Sequence, residues 1–228
     1  MCSGESRKFI RKGGTEMKKG KVLAAVGLLA AFMLWTAIVS LVDVRPVGPQ
    51  GSRVGLAAIN QLVHERTGVH MMLYHLTDWL SVVPLGIAAG FASLGLAQWI
   101  RRKRLNKVDG SLLVLGGFYL AVMAAYVFFE AVIVNYRPVL IEGKLEASYP
   151  SSTTMLVLCM IPTAVMQLQG RIRNQWLRNG TTAALVVFLI LMVTGRIISG
   201  VHWITDIIGA ALLSAGLVMM YHACTSKS

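Results

Sequence analysis

The stretch from Gly195 to Asp206 sets an arginine, a histidine and an aspartate among mostly apolar residues. If the chain is helical from about His202 onward, His202 and Asp206 lie one turn apart on one face, so the carboxylate can accept the imidazole proton and fix its tautomer. Such a histidine can act as a nucleophile or a base. Arg196 adds a planar fork of donors that matches phosphate oxygens. These residues predict an anion site beside a reactive imidazole or, more simply, interfacial residues at the end of a membrane helix.

Two further segments carry residues suited to anion binding. One apolar run ends at Arg137, with Glu130 about two helical turns deeper, where a carboxylate normally has an ion-pair partner or a function. Another run begins directly after a proline with the hydroxyl residues Ser151, Ser152 and Thr153. Helix capping explains such hydroxyls by itself, but the free N–H groups and dipole of a helix start also make an anion cradle.

His75 and Asp78 lie on one helical face at the outer end of a further apolar run. They belong either to the same site or to an ordinary interfacial cap. The other histidines have no metal-ligand spacing, and the three cysteines give neither a metal set nor a disulfide framework. We therefore predict a site without a metal or a cofactor.

The elements that must position these residues are membrane helices. The chain has 228 residues, of which 55% are hydrophobic and 14% charged, a composition too apolar for an ordinary soluble domain. Six runs are long enough to cross a hydrocarbon core of roughly 30 Å. They are Val22 to Val42, Trp79 to Ile100 with a start near Met71, Gly110 to Phe129, Ala147 to Gly170, Asn179 to Gly195, and Ile207 to Ser226. The sequence predicts an all-α fold, a polytopic six-helix transmembrane bundle.

The net charge of +12 follows the topology and does not indicate a nucleic-acid partner. The basic residues cluster in segments that six spans place on one side: Arg7, Lys8, Arg11, Lys12, Lys18, Lys19 and Lys21; Arg101, Arg102, Lys103, Arg104 and Lys107; Arg171, Arg173 and Arg178; and Lys227. The positive-inside rule makes that side cytoplasmic, together with both termini. We predict a multi-pass protein of the plasma membrane with its site on the extracytoplasmic side. Membrane lipids surround it, and no protein partner is inferred.

The predicted domain organisation is simple. A basic cytoplasmic leader, residues 1–21, precedes a single membrane domain, residues 22–226, and Met17 could replace Met1 as the start. The outer segment 54–67 has apolar residues at helical spacing, which predicts an amphipathic helix on the outer interface. It would serve as structural cover or as a lid for lipid entry.

Topology brings the candidate segments to one membrane face, because Arg137 and Arg196 close two spans while Ser151 and His202 open the spans that follow them. The order and spacing of these motifs resemble the three signature motifs of the type 2 phosphatidic acid phosphatase superfamily of membrane lipid phosphatases. The motifs are Arg137-Pro138, Pro150-Ser151-Ser152-Thr153, and Arg196 followed by His202 and Asp206.

The resemblance implies a six-helix enzyme that hydrolyses lipid phosphates or diphosphates without metal, through a phosphohistidine. It implies that His202 is the nucleophile and that Asp206 orients it. Arg137 and Arg196 would clamp the phosphoryl oxygens, and Ser151 and the backbone after it would add donors.

Two departures from the motifs affect the chemistry. Glu130 stands where the family has a lysine, and Ser152-Thr153 stands where the family has Gly-His. A phosphate-binding cation and the general acid are thus both replaced, and a threonine hydroxyl does not donate a proton near neutral pH. Glu130, buried in the bundle, could supply the proton instead, or His75 could reach the site. Alternatively, a diphosphate substrate has a leaving group that needs no acid.

We therefore expect a phosphatase for lipid phosphates or diphosphates at the outer leaflet, with a preference for polyprenyl diphosphate. The alternative is a catalytically impaired binder or transporter of lipid phosphates that kept the phosphate clamp. The sequence leaves the lipid and the oligomeric state open.

Overall fold

The computed structural model describes residues 3–226, with side chains from residue 16 onward. The predictions that concern Met1, Cys2 and Lys227, and the side chains of Arg7, Lys8, Arg11 and Lys12, lie outside the described residues. Within the described range the chain is helical apart from its loops, where three isolated β-bridges join short extended pieces. One of these bridges pairs Tyr136 with Ala147 in the long loop that leads to the candidate site.

The described residues form eight α-helices. They are α1 (Ser3–Leu41), α2 (Ala57–Thr67), α3 (Met71–Leu80), α4 (Val82–Arg102), α5 (Gly110–Ala131), α6 (Ser152–Arg171), α7 (Gln175–Ile198) and α8 (Ile204–Thr225). Six segments are long and apolar enough to cross a membrane, with α3 and α4 counted together as Met71–Arg102. The predicted all-α fold with six membrane helices is thereby confirmed, and the fifth helix is longer than the predicted span from Asn179 to Gly195.

The bundle is built around α6 and α8. Of the apolar windows of these two helices, 56% and 44% of the residues are buried inside the protein, against at most 22% for the others. Small residues let α8 approach its neighbours closely. A Cβ added at Gly209 would lie 2.6 Å from the ring of Tyr149, and one at Gly216 would lie 2.8 Å from the Leu29 side chain of α1. The start of α8 is therefore held firmly at the centre of the bundle.

The outer segment forms a helix, as its apolar spacing predicted, although α2 is shorter than the predicted segment 54–67. Helix α2 begins at Ala57, and its exposed face carries Ile59 and Leu62, whereas its buried face carries the polar Asn60. The Asn60 amide donates to the Gly55 carbonyl oxygen and to Thr205 Oγ1 at 2.8 and 3.0 Å. Because Thr205 lies in the first turn of α8, α2 is anchored to the bundle at the candidate site.

Two predicted helix boundaries are wrong. Helix α5 ends at Ala131, so Glu130 lies in its last turn and Arg137 lies in the loop that follows. The β-branched residues 132–134 disfavour continuation of the helix, and Asn135 beyond them accepts a hydrogen bond from the Gly55 backbone. Helix α8 begins at Ile204, so His202 precedes the helix.

Candidate functional site

His202 lies in the short turn between α7 and α8, with only 6% of its surface exposed. Its Nδ1 is 3.1 Å from Ser148 Oγ, and its Nε2 is 3.5 Å from Nη1 of Arg137. Gly200 shapes the turn, because its φ is +65° and a Cβ there would lie 1.9 Å from the Gly68 carbonyl oxygen. The imidazole is therefore fixed with one nitrogen toward a hydroxyl and the other toward a guanidinium.

The environment of His202 keeps its ring neutral. Burial lowers the pKa of His202 to about 4, and the positive charges of Arg137 and Arg196 act in the same direction. The nearby carboxylate of Asp206 opposes this shift without outweighing it. At neutral pH one ring nitrogen consequently has a free lone pair, which is the form that a nucleophile or a base requires.

Asp206 is fully buried and makes no direct hydrogen bond to the imidazole. Its Oδ2 lies 3.7 Å from His202 Nδ1, too far for a hydrogen bond. The same carboxylate accepts from the Trp203 backbone N–H at 2.9 Å, from the Ser148 hydroxyl, and more weakly from Asn135 Nδ2 at 3.5 Å. The two groups are therefore close, as predicted, but they lack the direct hydrogen bond, and His202 lies outside α8. Asp206 instead caps the start of that helix.

Arg137 reaches the imidazole from the loop between α5 and α6. Its guanidinium is buried, and its Nε lies 3.2 Å from Oε2 of Glu146. The backbone supports this ion pair, because the Arg137 N–H donates to the Glu146 carbonyl oxygen at 3.1 Å. The arginine is thus held in place across the loop, and its Nη1 points toward His202.

Arg196 is almost completely buried near the end of α7, with 1% of its surface exposed. Its Nη2 donates to Thr153 Oγ1 at 2.6 Å and pairs with Oδ1 of Asp78 at 3.4 Å. Its Nη1 donates to Thr77 Oγ1 at 3.3 Å and to the Tyr74 carbonyl oxygen at 3.4 Å. Thr153 stands at the position of the family's histidine, and its hydroxyl oxygen accepts a hydrogen bond from Arg196.

The ring of Tyr74 lies between the two arginines. The guanidinium carbon of Arg196 is 4.9 Å from the ring centroid, and that of Arg137 is 5.7 Å from it. Both distances are within the range of cation–π attraction, which offsets part of the repulsion between two buried like charges. The sequence analysis missed Tyr74. Its spacing of four residues from Asp78 could have placed it on the same helical face.

The predicted cluster of hydroxyl residues lies at the start of α6, and its members make different contacts. Ser151 is fully buried, its N–H donates to the Asp206 carbonyl oxygen at 3.2 Å, and its hydroxyl bonds Thr154 at 3.0 Å. Ser152 is partly exposed and lines a cleft that also contains His202. As the first residues of a helix, Ser152 and Thr153 have backbone N–H groups without intrahelical acceptors.

The two proposed substitutes for the missing acid lie in different places. Glu130 is exposed and lines the same cleft as His202, Ser148 and Ser152, so its predicted burial in the bundle is wrong. His75 is exposed, and its ring packs against that of Tyr74 at 5.2 Å. In the part of the chain that the structure describes, His75 makes no hydrogen bond to the candidate site.

The assembled site has the chemistry of an anion-binding centre. One guanidinium group lies beside the neutral imidazole, and a second shares the Tyr74 ring with it and bonds Thr153 in the first turn of α6. Such groups stabilise charge on a transferring phosphoryl group. Both arginines are also paired with carboxylates. An incoming anion must therefore share each arginine with its carboxylate or displace that carboxylate. Among residues 16–226, no group of three or more histidine, cysteine, aspartate or glutamate side chains could hold a metal ion.

Comparisons with known proteins agree with the motif interpretation. A family model, described as PAP2 superfamily, matches residues 128–228, which confirms the resemblance found in the sequence. A similar solved structure is the crystal structure of the first transmembrane PAP2 type phosphatidylglycerolphosphate phosphatase from Bacillus subtilis. It has 19% sequence identity and a TM-score of 0.48, over 87% of this chain and 93% of that chain. No curated protein matches the chain.

Proposed function

We propose, because residues 128–228 match the PAP2 superfamily, that this membrane protein is a lipid phosphate or diphosphate phosphatase. One observation carries the proposal. Nη1 of Arg137 lies 3.5 Å from Nε2 of His202 although the residues are 65 positions apart, and Arg196 shares the Tyr74 ring with Arg137. A phosphoryl group bound by both arginines would lie beside the free lone pair of the imidazole.

The proposed reaction has two steps. In the first, Nε2 of His202 attacks the terminal phosphorus, and the bond from that phosphorus to its leaving oxygen breaks. This oxygen is the lipid alkoxide oxygen in a monophosphate and the bridging oxygen in a diphosphate, and it leaves with the bond's electron pair. In the second, water attacks the phosphohistidine, inorganic phosphate departs, and the neutral imidazole is restored. Arg137 and Arg196 stabilise the negative charge on the three phosphoryl oxygens in both steps, with the N–H groups of Ser152 and Thr153 as additional donors.

The leaving group decides which substrates suit the site. The Thr153 hydroxyl accepts from Arg196 and is no acid at neutral pH, so it cannot protonate an alkoxide. When the substrate is a lipid diphosphate, the leaving group is the lipid monophosphate, a phosphate monoester that leaves much more readily than an alkoxide. Loss of a general acid typically costs 10²–10⁴-fold in rate for a poor leaving group. We therefore propose polyprenyl diphosphate as the preferred substrate, while Glu130 at the cleft supplies the proton for slower monoester hydrolysis.

We also propose an orientation in the plasma membrane. The basic ends of α4 and α6, at Arg102 and Arg171, lie at the ends of their helices opposite to the candidate site. By the positive-inside rule these ends are cytoplasmic, with both termini, and the site faces the outer leaflet. In this proposal residues 22–226 form one membrane domain behind a basic leader, residues 1–21.

The test is phosphate release by the detergent-purified protein from polyprenyl diphosphate and from phosphatidate, measured side by side. We expect faster release from the diphosphate and none from a His202→Ala variant that keeps its fold. Faster turnover of phosphatidate would overturn the diphosphate preference. Absence of release from both lipids would overturn the enzyme assignment.

A binder or transporter of lipid phosphates is the second candidate, favoured by the carboxylates that already pair with both arginines. Glu146 and Asp78 leave the clamp without an excess of positive charge. Such a protein would bind the same lipids stoichiometrically and release no phosphate. Equilibrium binding measured beside turnover separates the two functions.

A further inference from the structure

The hydroxyl of Ser148 lies between the imidazole and the carboxylate of the candidate site. Ser148 is 2% exposed, its Oγ is 3.1 Å from His202 Nδ1, and it donates to Oδ2 of Asp206. The imidazole and the carboxylate do not bond each other, because their closest atoms are 3.7 Å apart. Ser148 is therefore the described side chain that connects the two groups by hydrogen bonds.

The single proton of the hydroxyl determines the direction of both bonds. An ionised carboxylate only accepts hydrogen bonds, so Ser148 must donate its proton to Asp206. The Ser148 oxygen then offers only a lone pair to His202, and Nδ1 must carry the ring proton to form its bond. In a neutral imidazole this leaves Nε2 without a proton, facing Arg137.

Asp206 cannot easily perform this task itself. Its carboxylate accepts from the Trp203 backbone N–H at the start of α8, and its own backbone carbonyl accepts from Ser151. These bonds fix the aspartate as part of the helix cap.

We propose that Ser148 is a positioning residue that fixes the tautomer of His202 and transmits the charge of Asp206 to the ring. This inference rests on the proposed function, in which Nε2 attacks phosphorus. As the N–P bond forms, the ring becomes cationic, and the proton on Nδ1 is stabilised by a hydroxyl that the carboxylate polarises. No proton leaves Nδ1 in this step, so Asp206 stays ionised.

The consequence of removing the hydroxyl is specific. In Ser148→Ala, Nδ1 loses its acceptor, and the ring is free to adopt the tautomer with the proton on Nε2. The lost hydrogen bond between Ser148 and His202 is coupled to the charge of Asp206. We therefore expect kcat to fall on the order of 10- to 100-fold. KM should stay within about twofold, because Ser148 does not contact either arginine.

The test combines kinetics with ¹⁵N spectra of the histidine rings in the purified full-length protein. We expect wild-type His202 to show the tautomer protonated on Nδ1, Ser148→Ala to lose this preference together with kcat, and Ser148→Thr to recover much of both. Ser214→Ala is the matched control, since Ser214 is a buried serine of α8 whose hydroxyl donates to the Met155 carbonyl oxygen at 3.3 Å. Ser214→Ala should change neither the tautomer of His202 nor kcat.

Two results would overturn the inference: an Nε2-protonated tautomer in the wild-type protein, or a Ser148→Ala variant with wild-type kcat and tautomer. The first needs no variant, so it decides even if Ser148→Ala does not fold. Failure of the proposed function is distinct, because it appears as absence of phosphate release by the wild type, whatever the tautomer.

Discussion

At the scale of single residues, the site depends on how charge is distributed around one neutral ring. His202 is kept neutral by burial beside two arginines, and each arginine is paired with a carboxylate. The family motifs predicted His202, Arg137 and Arg196. Asp78 was a candidate from its helical spacing alone, since it lies outside the matched segment. Glu146 was not predicted, because it lies in a loop without periodicity.

The first prediction concerns the protonation of His202. With its pKa lowered to about 4, the ring stays neutral well below the ordinary histidine value of about 6.5. The neutral nucleophile, and the activity that needs it, should decline only as the pH falls through about 4. A ¹⁵N titration of the histidine rings, assigned by the signal missing from His202→Gln, measures this directly. A midpoint near 6.5 would contradict the described environment.

The second prediction concerns Glu146. Glu146→Gln removes the negative charge 3.2 Å from Arg137, so the arginine can bind a phosphate without sharing its charge. We expect a lower KM for the lipid substrate, by roughly 3- to 10-fold, with little change in kcat. Glu142→Gln, an exposed substitution in the same loop, is the control. Equal KM values for the wild type and both variants would show that the ion pair does not compete with the substrate.

The third prediction concerns the ring of Tyr74. Tyr74→Leu keeps an apolar side chain but removes the aromatic face near both guanidinium groups, whereas Tyr74→Phe keeps that face. Cation–π contacts of this kind are each worth about 0.5–2 kcal/mol. We therefore expect KM to rise by roughly 3- to 30-fold in the leucine variant alone. If the phenylalanine variant is equally impaired, the hydroxyl and not the ring is the important group.

At the scale of elements, the helices were predictable and their ends were not. Hydropathy located all six spans because membrane helices need long apolar runs. The end of α5 and the start of α8 were misplaced, since apolar residues such as Val132 and Val201 continue beyond the helices into the loops. The error mattered for His202, because its contact with Asp206 was inferred from helical spacing.

Helix α2 gives the prediction at this scale. Asn60→Ala removes the side chain that bonds Gly55 and Thr205, which leaves buried backbone groups without partners. We expect a loss of about 1–3 kcal/mol in the free energy of unfolding, or detachment of α2. Thermal unfolding and hydrogen exchange of residues 57–67 in detergent measure it. Gln61→Ala, one position along α2, should be nearly neutral, and equal effects of both substitutions would count against the anchor.

At the scale of the whole molecule, the fold brings five separate segments to one end of the bundle. The sequence motifs account for three of them, in which Arg137, Ser151 and His202 stand at predicted positions along the chain. The contributions of Tyr74 from α3 and Asn60 from α2 come from outside the segment that matches the family. Tyr74 could have been found only through its four-residue spacing from Asp78, and Asn60 could not have been found, because a single asparagine in a helix has no spacing signal of its own.

The most direct measurement is trapping of labelled phosphate by an alkaline quench during turnover of a lipid diphosphate labelled at its terminal phosphate, followed by mass spectrometry of the labelled peptide. We predict alkali-stable label on His202 of the wild-type protein and none on His202→Gln. Label on another side chain, or phosphate release by His202→Gln at the wild-type rate, would contradict the assignment of His202 as the nucleophile.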